Sequence, residues 1–441
     1  MACPKGLPLI GNVLQLGKFP NDTFTKWSKE YGPIYKVQLG SHIAVIVSDP
    51  KLSKEIFTND PAFAGRPHFD VTNLYEENPR LGMFVSEGDL WEIHRNFLIR
   101  QLRTFGFGKS SMEALIMEDV NEVLDKLKKE EGKPIGNIRG MLRLAIVNAL
   151  WTILSSQRFK HDDPKLGQLT RFSRGSGYNA ARRVLEGWKT FLEGTVKEHK
   201  EQFHEGNLKD FIDVYLAEVR KTTDEKSYFY GQLGERQLVS TMLNLFIAGS
   251  DTSATTLSWT LVYLCKFPHV QKKLQEEIES VTGNERQVSV DDRPMMPYAQ
   301  ALVDEILRYS SIVPDGAQHR ATEEREFQGY RIPKDAWIQP NLYYIHHDPR
   351  FGRSTEFSAE RFLSENGEKY MKNENLQPFQ IGRRICVGEN LARDNIFLFM
   401  TNIFQKFEVR FDPKSKEPGL GTLMGFFRNP EDYSVIMKDR L

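Results

Sequence analysis

The sequence predicts a mainly helical protein that carries small β-sheets. Apolar residues recur at helical spacing along most of the chain, and only residues 34–47 and 326–344 alternate as strands do. The 441 residues contain no linker rich in proline, glycine or charge, and no internal repeat. We therefore expect a single domain that spans residues 1–441, or two tightly fused lobes.

The elements follow from local patterns. Residues 34–47 predict a β-hairpin that turns at Gly40 and Ser41, and residues 326–344 predict further strands with turns at 328–329 and 333–334. Apolar periodicity and end signals predict helices at 23–31, 51–59, 89–102, 111–130, 182–205, 208–221, 235–265 and 297–309.

The composition excludes several classes of protein. Lys+Arg and Asp+Glu both number 59, so the zero net charge gives no argument for nucleic-acid binding. The cysteines Cys3, Cys265 and Cys386 are too few for a disulfide framework, which suits a reducing compartment and disfavours zinc ribbons and iron–sulfur clusters. No uninterrupted apolar stretch of about 18 residues and no signal-peptide layout is present.

One cysteine stands in a glycine-rich, basic run at residues 378–388, just before a helical stretch. Gly382 and Gly388 let the backbone turn around Cys386. Nearby backbone N–H groups and a following helix N-terminus favour the thiolate form of a cysteine, which is the form that binds iron. The alternative is a buried, inert thiol in a glycine-rich loop.

The long predicted helix carries an acid beside a hydroxyl, Asp251 and Thr252, within an apolar run. Burial of these groups requires partners or a wet cavity, and Gly249 can loosen the helix there. Alternatively, the threonine bonds back to its own helix and the acid faces solvent. Glu305 and Arg308, three residues apart, can pair on one helix face.

Several of these runs together resemble the cytochrome P450 family over nearly the whole chain. The spacing Phe-x-x-Gly-x-Arg-x-Cys-x-Gly resembles its haem-ligand loop, and Ala248 to Thr252 resembles its Ala-Gly-x-Asp-Thr motif. The stretch 102–110 is similar to the microsomal family-2-like clan. The resemblance implies the cytochrome P450 fold, a single catalytic domain, and haem between a long central helix and the cysteine loop.

The resemblance also implies roles for individual residues. Haem b (iron protoporphyrin IX) would take its axial thiolate from Cys386, Thr252 would steady bound oxygen, and Asp251 would relay protons. Arg361 would join Glu305 and Arg308 in a buried structural network. The remaining cofactor-binding residues by matching position, chiefly contacts to the haem propionates, are Trp91, Arg95, His319, Arg384, Phe379 and Arg66.

The reaction implied is monooxygenation of a lipophilic substrate such as a sterol, terpenoid, fatty acid or xenobiotic, with O2. Electrons would come from NADPH through NADPH–cytochrome P450 reductase, with cytochrome b5 as an additional donor. The basic residues between 93 and 112 would steer an acidic donor: Arg95, Arg100, Arg103 and Lys109. Two alternatives are a haem-thiolate isomerase or peroxide-rearranging enzyme and a non-catalytic haem sensor or carrier; the Asp251–Thr252 pair argues against both.

Residues matched by position to the substrate pocket are mostly apolar: Phe84, Phe246, Ile247, Ala248, Val313, Asp315 and Phe426. The carboxylate of Asp315 could bind a substrate hydroxyl or amine, or cap a turn. The adjacent His346 and His347 precede Asp348 in a polar loop, and adjacent histidines usually point apart, so we expect no metal there.

Two features concern the membrane. Residues 3–12 resemble the Pro/Gly-rich hinge that follows the anchor of microsomal family members, which implies a native location on the cytoplasmic face of the endoplasmic reticulum membrane and a chain that is soluble without its anchor. The run Gly175, Ser176 and Gly177 has the composition of a flexible linker, which suggests a shortened region between two helices over the substrate cavity. A natural helix cap and turn is the alternative.

Overall fold

The computed structural model describes residues 1–68, 80–107, 110–136, 138–159, 178–283, 285–420 and 427–440. The chain divides into two compact units. The first comprises Met1–Pro67, Leu124–Arg139 and Thr255–Leu441, and the second comprises His68–Val123 and Gly140–Ala254. That these units make one catalytic domain stays a prediction. Residues 175–177, Lys109 and Phe426, singled out above, lie outside the described residues.

Helices make up most of the described chain, which confirms the mainly α prediction. Their bounds are α1 Pro20–Tyr31, α2 Pro50–Asn59, α3 Gly88–Thr104, α4 Ser110–Lys129, α5 Ile138–Ser155, α6 Tyr178–Glu201, α7 Phe211–Lys221, α8 Gly231–Lys266, α9 Pro268–Thr282, α10 Pro297–Ser310, α11 Leu342–His346 and α12 Glu389–Lys406. The strands are β1 Ile34–Leu39, β2 His42–Val47, β3 His319–Arg320, β4 Arg325–Phe327, β5 Tyr330–Ile332, β6 Trp337–Pro340, β7 Phe407–Phe411 and β8 Val435–Asp439.

The main sheet of the first unit has the strand order β1-β2-β6-β3. The hairpin β1–β2 is confirmed, and Gly40 in its turn has φ +60°, a conformation that glycine adopts at low cost. Strand β2 pairs in parallel with β6, so Ile46 lies opposite Gln339. Strand β3 pairs with the other edge of β6, with His319 opposite Ile338.

The two faces of this sheet bury different residues, because side chains alternate along a strand. One face, with Tyr35 and Ile46, packs with Phe24 and Trp27 of α1. The other face packs apolar residues of β2 and β6 against α2 and the 3₁₀ turn Pro61–Ala64, and its buried members include Val45, Ile338, Phe57 and Phe63. The cofactor-binding residues predicted near His319 therefore lie on the second face of the sheet, which packs against α2.

The strand prediction for residues 326–344 was correct only in part. Strands β4 and β5 pair across Gln328 and Gly329, both with positive φ, and β6 follows. After β6, however, the chain forms the short helix α11 instead of continuing as a strand. The side chain of Asn341 accepts a hydrogen bond from the Tyr344 N–H and caps this helix.

Helix α10, which carries Glu305 and Arg308, begins on a cap supplied by another helix. The residue before its first turn, Met296, makes no side-chain cap, and Pro297 has no N–H to donate. Glu277 of α9 accepts hydrogen bonds from the backbone N–H groups of Tyr298 and Ala299, both at 2.8 Å. The carboxylate therefore satisfies donors that would otherwise have no partner, and it also matches the positive end of the helix dipole.

The second unit has an aromatic core around the first part of α8. Phe246 lies 3.9 Å from Trp188 and 5.7 Å from Trp151, measured between ring centroids. A Cβ atom at Gly249 would lie only 2.8 Å from a Leu150 methyl carbon, so glycine allows α5 and α8 to approach closely here. The helix continues through this position, so the glycine serves packing and does not interrupt the helix.

Helix α5 was not predicted from the sequence, because it is buried on most sides and lacks a polar face. In the described part of the chain it is the one helix long and apolar enough to cross a membrane by length and composition, and 72% of that window is buried. Burial of this kind is what a core helix of a globular protein shows.

Candidate active site

Cys386 lies in a closed loop that ends just before α12. Its N–H donates to the carbonyl of Phe379 at 3.1 Å, and Ile385 N–H donates to the carbonyl of Gly382 at 3.1 Å. The side chain of Cys386 is exposed, and α12 begins three residues later at Glu389. A thiol held at the surface of an ordered loop, next to a helix N-terminus, is available as a metal ligand.

The cysteine loop packs closely against α2. Gly382 has φ +78°, and a Cβ atom there would collide with the carbonyl oxygen of Phe57. Gln380, also at positive φ, donates its side-chain N–H to the Ala317 carbonyl at 3.0 Å. The loop is therefore fixed from two sides, which holds the thiol of Cys386 in one place.

Three basic side chains lie close to one another in the first unit. His319 donates Nδ1–H to the Phe63 carbonyl at 2.7 Å, and its ring lies 4.4 Å from that of Phe57. Burial lowers the pKa of His319 well below its usual value, and the nearby charges of Arg66 and Arg384 lower this pKa further. Both charges disfavour a proton on the imidazole.

These basic groups fit a bound anion. Arg66 donates to the backbone carbonyls of residues 317 and 318, at 3.1 and 2.7 Å, and Arg384 donates to that of Ala64 at 2.9 Å. Buried Nε2 of His319 has no hydrogen-bond partner among the described residues. A carboxylate beside these groups would balance the two guanidinium charges, as the propionates of a haem would, and its negative charge would favour the protonated imidazole, whose Nε2–H could then donate to it.

The acid-and-arginine network behind the loop is fully formed. Arg308 donates Nε–H and Nη2–H to the two oxygens of Glu305, each at 2.7 Å, and Arg361 donates Nε–H to the same carboxylate at 2.9 Å. Glu305 also accepts from the Ser358 N–H at 2.8 Å. Both Glu305 and Arg308 are fully buried. Paired and hydrogen-bonded in this way, the charges are compensated despite their burial.

In the second unit, α8 carries the predicted catalytic pair. Thr252 donates its hydroxyl to the Ala248 carbonyl at 2.7 Å, one helical turn earlier. Asp251 lies 3.3 Å from the guanidinium of Arg143 on α5. The threonine therefore does bond to its own helix, while the acid is half-buried and paired. Ala248 itself is exposed, and Ile247 is partly buried.

The predicted haem contacts of α3 lie together on that helix. The guanidinium of Arg95 lies 5.6 Å from the ring centroid of Trp91, within the range of a cation–π contact. Trp91 is buried, and Arg95 is partly buried. The spacing of four residues, which places side chains on one helix face, produces this contact.

Sequence reasoning missed the polar side chains of α8 that hold the loop around Phe84. Asn244 Oδ1 accepts from the N–H groups of Met83 and Phe84 at 2.7 and 2.9 Å, and Gln237 Oε1 accepts from the Gly82 N–H at 2.8 Å. Gly82 has φ +84°, and a Cβ atom there would collide with Asn244. Gln237 and Asn244 lie on the helix face that also carries Ala248 and Thr252, and this spacing was the signal available in the sequence.

The structure describes the surroundings of two residues predicted for the pocket, and the predictions themselves stay predictions. Phe246 is buried in the aromatic core described above. Asp315 interacts with Gln339 and Tyr35, so it lies over the sheet face opposite His319. It makes no turn cap in the described structure, and its Oδ1 has no hydrogen-bond partner there.

The fold and the thiol loop fit a haem-thiolate oxygenase, and comparison with known families shows that class. The family model described as Cytochrome P450 matches residues 1–180 and 166–437. The chain therefore belongs to the cytochrome P450 family. Its cofactor is haem with an axial cysteine thiolate, and its activity is that of a monooxygenase.

The curated relatives narrow the family further. Cytochrome P450 2J5 of Mus musculus is 32% identical over 99% of this chain and 91% of its own length. Cytochrome P450 2F2 of Mus musculus is 33% identical, and cytochrome P450 2B4 of Oryctolagus cuniculus is 32% identical; each match covers 95% of this chain and 91% of the relative. The chain is thus similar to family-2 cytochromes P450 over nearly its whole length.

Proposed function

We propose that this protein inserts one oxygen atom of O2 into a lipophilic substrate, with electrons from NADPH delivered by a reductase. The observation that carries the proposal is the exposed thiol of Cys386 in a loop closed by the Cys386–Phe379 hydrogen bond. In this proposal Cys386 supplies the axial ligand. His319, Arg66 and Arg384 bind the propionates, with Trp91 and Arg95 as further contacts.

Bound haem would supply the oxidising chemistry, and residues of α8 would deliver protons and bind water. The hydroxyl of Thr252 donates to the Ala248 carbonyl, and because a hydroxyl oxygen can also accept hydrogen bonds, we propose that Thr252 accepts one from a ligand. The carboxyl group of Asp251, the adjacent residue, would relay protons by taking one up from solvent and passing it on. An acid next to a hydroxyl favours an oxygenase over an isomerase or a sensor, which need no proton delivery.

The first experiment is the visible spectrum of the reduced protein with carbon monoxide, compared between the parent and Cys386→Ser. We expect a strongly red-shifted Soret band in the parent that the substitution removes. Cys265→Ser is the matched control, because that thiol is buried and lies on α8. A red-shifted band that persists without Cys386 would refute its assignment as ligand.

Product formation tests the reaction. With NADPH and reductase, Thr252→Ala should divert electrons to hydrogen peroxide, whereas Thr252→Ser should keep most of the coupling to product. Coupling that is equal in Thr252→Ala and the parent would contradict the role of the hydroxyl. Screening should begin with apolar compounds, since Ile247, Ala248 and Val313 offer no charge to a substrate.

The basic side of α3 is the proposed contact for the reductase. Arg100 and Arg103 are exposed on this helix. Attraction between exposed charges weakens with salt, so the reduction rate should fall as ionic strength rises, and Arg103→Glu should reduce that dependence. A rate that is independent of salt would argue for another docking surface.

We also propose that the native protein associates with the endoplasmic reticulum membrane. The apolar residues Leu9 and Leu14 are 95% and 70% exposed near the N-terminus. Co-sedimentation with phospholipid vesicles should weaken when both become aspartate. Met371→Asp is the control, since Met371 is also an exposed apolar residue. Equal binding of all three proteins would contradict a contact through these leucines.

A further inference from the structure

The first of the two adjacent histidines, His346, is buried at the end of α11 and uses both of its ring nitrogens. Nδ1 lies 2.8 Å from the hydroxyl oxygen of Ser311, and Nε2 lies 3.1 Å from the backbone nitrogen of Gln377. The Gln377 N–H can only donate, so Nε2 must accept and carries no proton. The proton therefore sits on Nδ1, which makes His346 a neutral imidazole with one fixed tautomer.

The bond to Ser311 connects His346 to the acid-and-arginine network. The Ser311 hydroxyl donates to the carbonyl of Arg308 at 2.7 Å and accepts from the imidazole. Arg308 in turn donates Nη1–H to the carbonyl of His346 at 2.9 Å. Two separate hydrogen-bonded connections thus join this histidine to the arginine that pairs with Glu305.

The bond to Gln377 connects His346 to the cysteine loop. Gln377 directly precedes Pro378 and Phe379, and its carbonyl accepts from the Gln380 N–H at 3.0 Å in the turn that opens the loop. Its side chain accepts from the Ser53 hydroxyl at 2.9 Å and donates to the Pro50 carbonyl at 3.0 Å. Gln377 is therefore a buried residue at the start of the loop that hydrogen bonds hold to α2 and to His346.

We propose that His346 is a positioning residue for the haem ligand, because it transmits the rigidity of the Glu305–Arg308 pair to the start of the cysteine loop. Ser311, His346 and Gln377 are 3%, 1% and 2% exposed, so water cannot replace any bond that is lost. The inference rests on the proposed role of Cys386. It gives a path by which the ion network holds the loop, and it names the residues on that path.

The test compares two neighbouring leucine substitutions in the haem-bound protein. His346→Leu removes the side-chain hydrogen bonds to Ser311 and Gln377 and leaves the bond from Arg308 to the backbone carbonyl, while His347→Leu is the matched control at the end of the same helix. His347 donates only to the carbonyl of Tyr343, at 2.8 Å within α11, and touches neither Ser311 nor Gln377 in the described contacts. Ser311→Ala removes only the acceptor of the Nδ1 proton, and it replaces His346→Leu if that variant does not fold.

Hydrogen exchange of peptides that cover residues 377–386 reports on the loop directly. We expect exchange about fivefold faster in His346→Leu than in the parent, the effect of one lost hydrogen bond, and no change in His347→Leu. In the same samples, the red-shifted band of the reduced carbon monoxide complex should shrink, and the reduction potential should move, only in His346→Leu.

Three results would overturn the proposal: equal exchange in both leucine variants, exchange unchanged by His346→Leu, or faster exchange with an unaltered band and potential. The last result would make His346 a purely structural residue. The parent spectrum and Cys386→Ser separate this test from the proposed function. If Cys386 is not the ligand, the parent lacks the thiolate band while the exchange comparison still measures the connection itself.

Discussion

Arg143 places its guanidinium 3.3 Å from the carboxylate of Asp251, and the two side chains are 20% and 28% exposed. The pair joins α5 to α8 beside Thr252 in the sequence. A partly exposed ion pair of this kind contributes about 1 kcal/mol or less to stability. Its more important effect is to hold the carboxylate of Asp251 in a defined orientation.

If Asp251 transfers protons, Asp251→Asn should lower turnover about 100-fold, the usual contribution of general acid–base catalysis. Arg143→Met keeps the carboxylate and should lower turnover far less. The measurement is product formation with NADPH and reductase, in water and in deuterium oxide. A solvent isotope effect that grows only in Asp251→Asn supports proton delivery by this acid. Equal losses in the two variants would assign the pair a structural role.

Glu305→Gln should cost about 3–5 kcal/mol of unfolding free energy, because Arg308 and Arg361 would keep their buried charges without a carboxylate to compensate them. Urea denaturation measures this loss, and haem should dissociate at lower urea than in the parent. Glu374→Gln is the control, since Glu374 pairs with Lys54 on the surface. A Glu305→Gln midpoint as high as that of the control would contradict a stabilising network.

The cysteines should differ in their reaction with iodoacetamide at pH 8. Burial raises the pKa of Cys265 to about 12, so only about one thiol in ten thousand is ionised there, whereas Cys386 is exposed. Peptide mapping should find Cys386 alkylated in haem-free protein and protected once haem is bound. Alkylation of the exposed Cys3 should be the same with and without haem. Labelling of Cys386 that haem does not reduce would contradict its role as ligand.

Asp315 should make stability depend on pH. Burial raises the pKa of this carboxyl to about 6, partly offset by Gln339. Since the unfolded carboxyl titrates near pH 4, the folded state alone holds the proton between pH 4 and 6, and unfolding free energy falls as pH rises through that range. The loss levels off above pH 6, at about 3 kcal/mol.

Asp315→Asn should abolish this dependence and raise the urea midpoint at pH 7.5, where the parent holds a buried charge. Asp432→Asn is the control, because Asp432 is exposed. A parent profile that is flat from pH 4 to 7 would show that the carboxyl is not buried in solution. A loss of substrate affinity without any change of stability would restore the substrate-binding alternative.

Local sequence patterns predicted the contacts that lie within one helix. The spacing of Glu305 and Arg308, and that of Trp91 and Arg95, placed each pair on one helix face, and the structure has both contacts. The hairpin at Gly40 was also readable, because a turn needs a residue that tolerates positive φ. Such features depend on neighbours within a few residues, which the sequence displays directly.

Contacts between distant segments were not predictable in the same way. The residues next to Phe246 are apolar, so the sequence does not show which side of the helix faces outward there. Contacts with Trp188 and Trp151 bury this side chain. The neutral histidine at 346 required the approach of Gln377, 31 residues away. Tertiary partners of this kind decide the direction of a side chain, and propensity alone does not contain them.

The cap that Glu277 provides for α10 sets an order of events in folding. Glu277 and Tyr298 are 21 residues apart, whereas Arg361 reaches Glu305 across 56. Because loop closure costs more entropy as separation grows, we expect the α9–α10 hairpin to close before the longer loop. Docking of the turn Ala359–Phe362 would then complete the charge network.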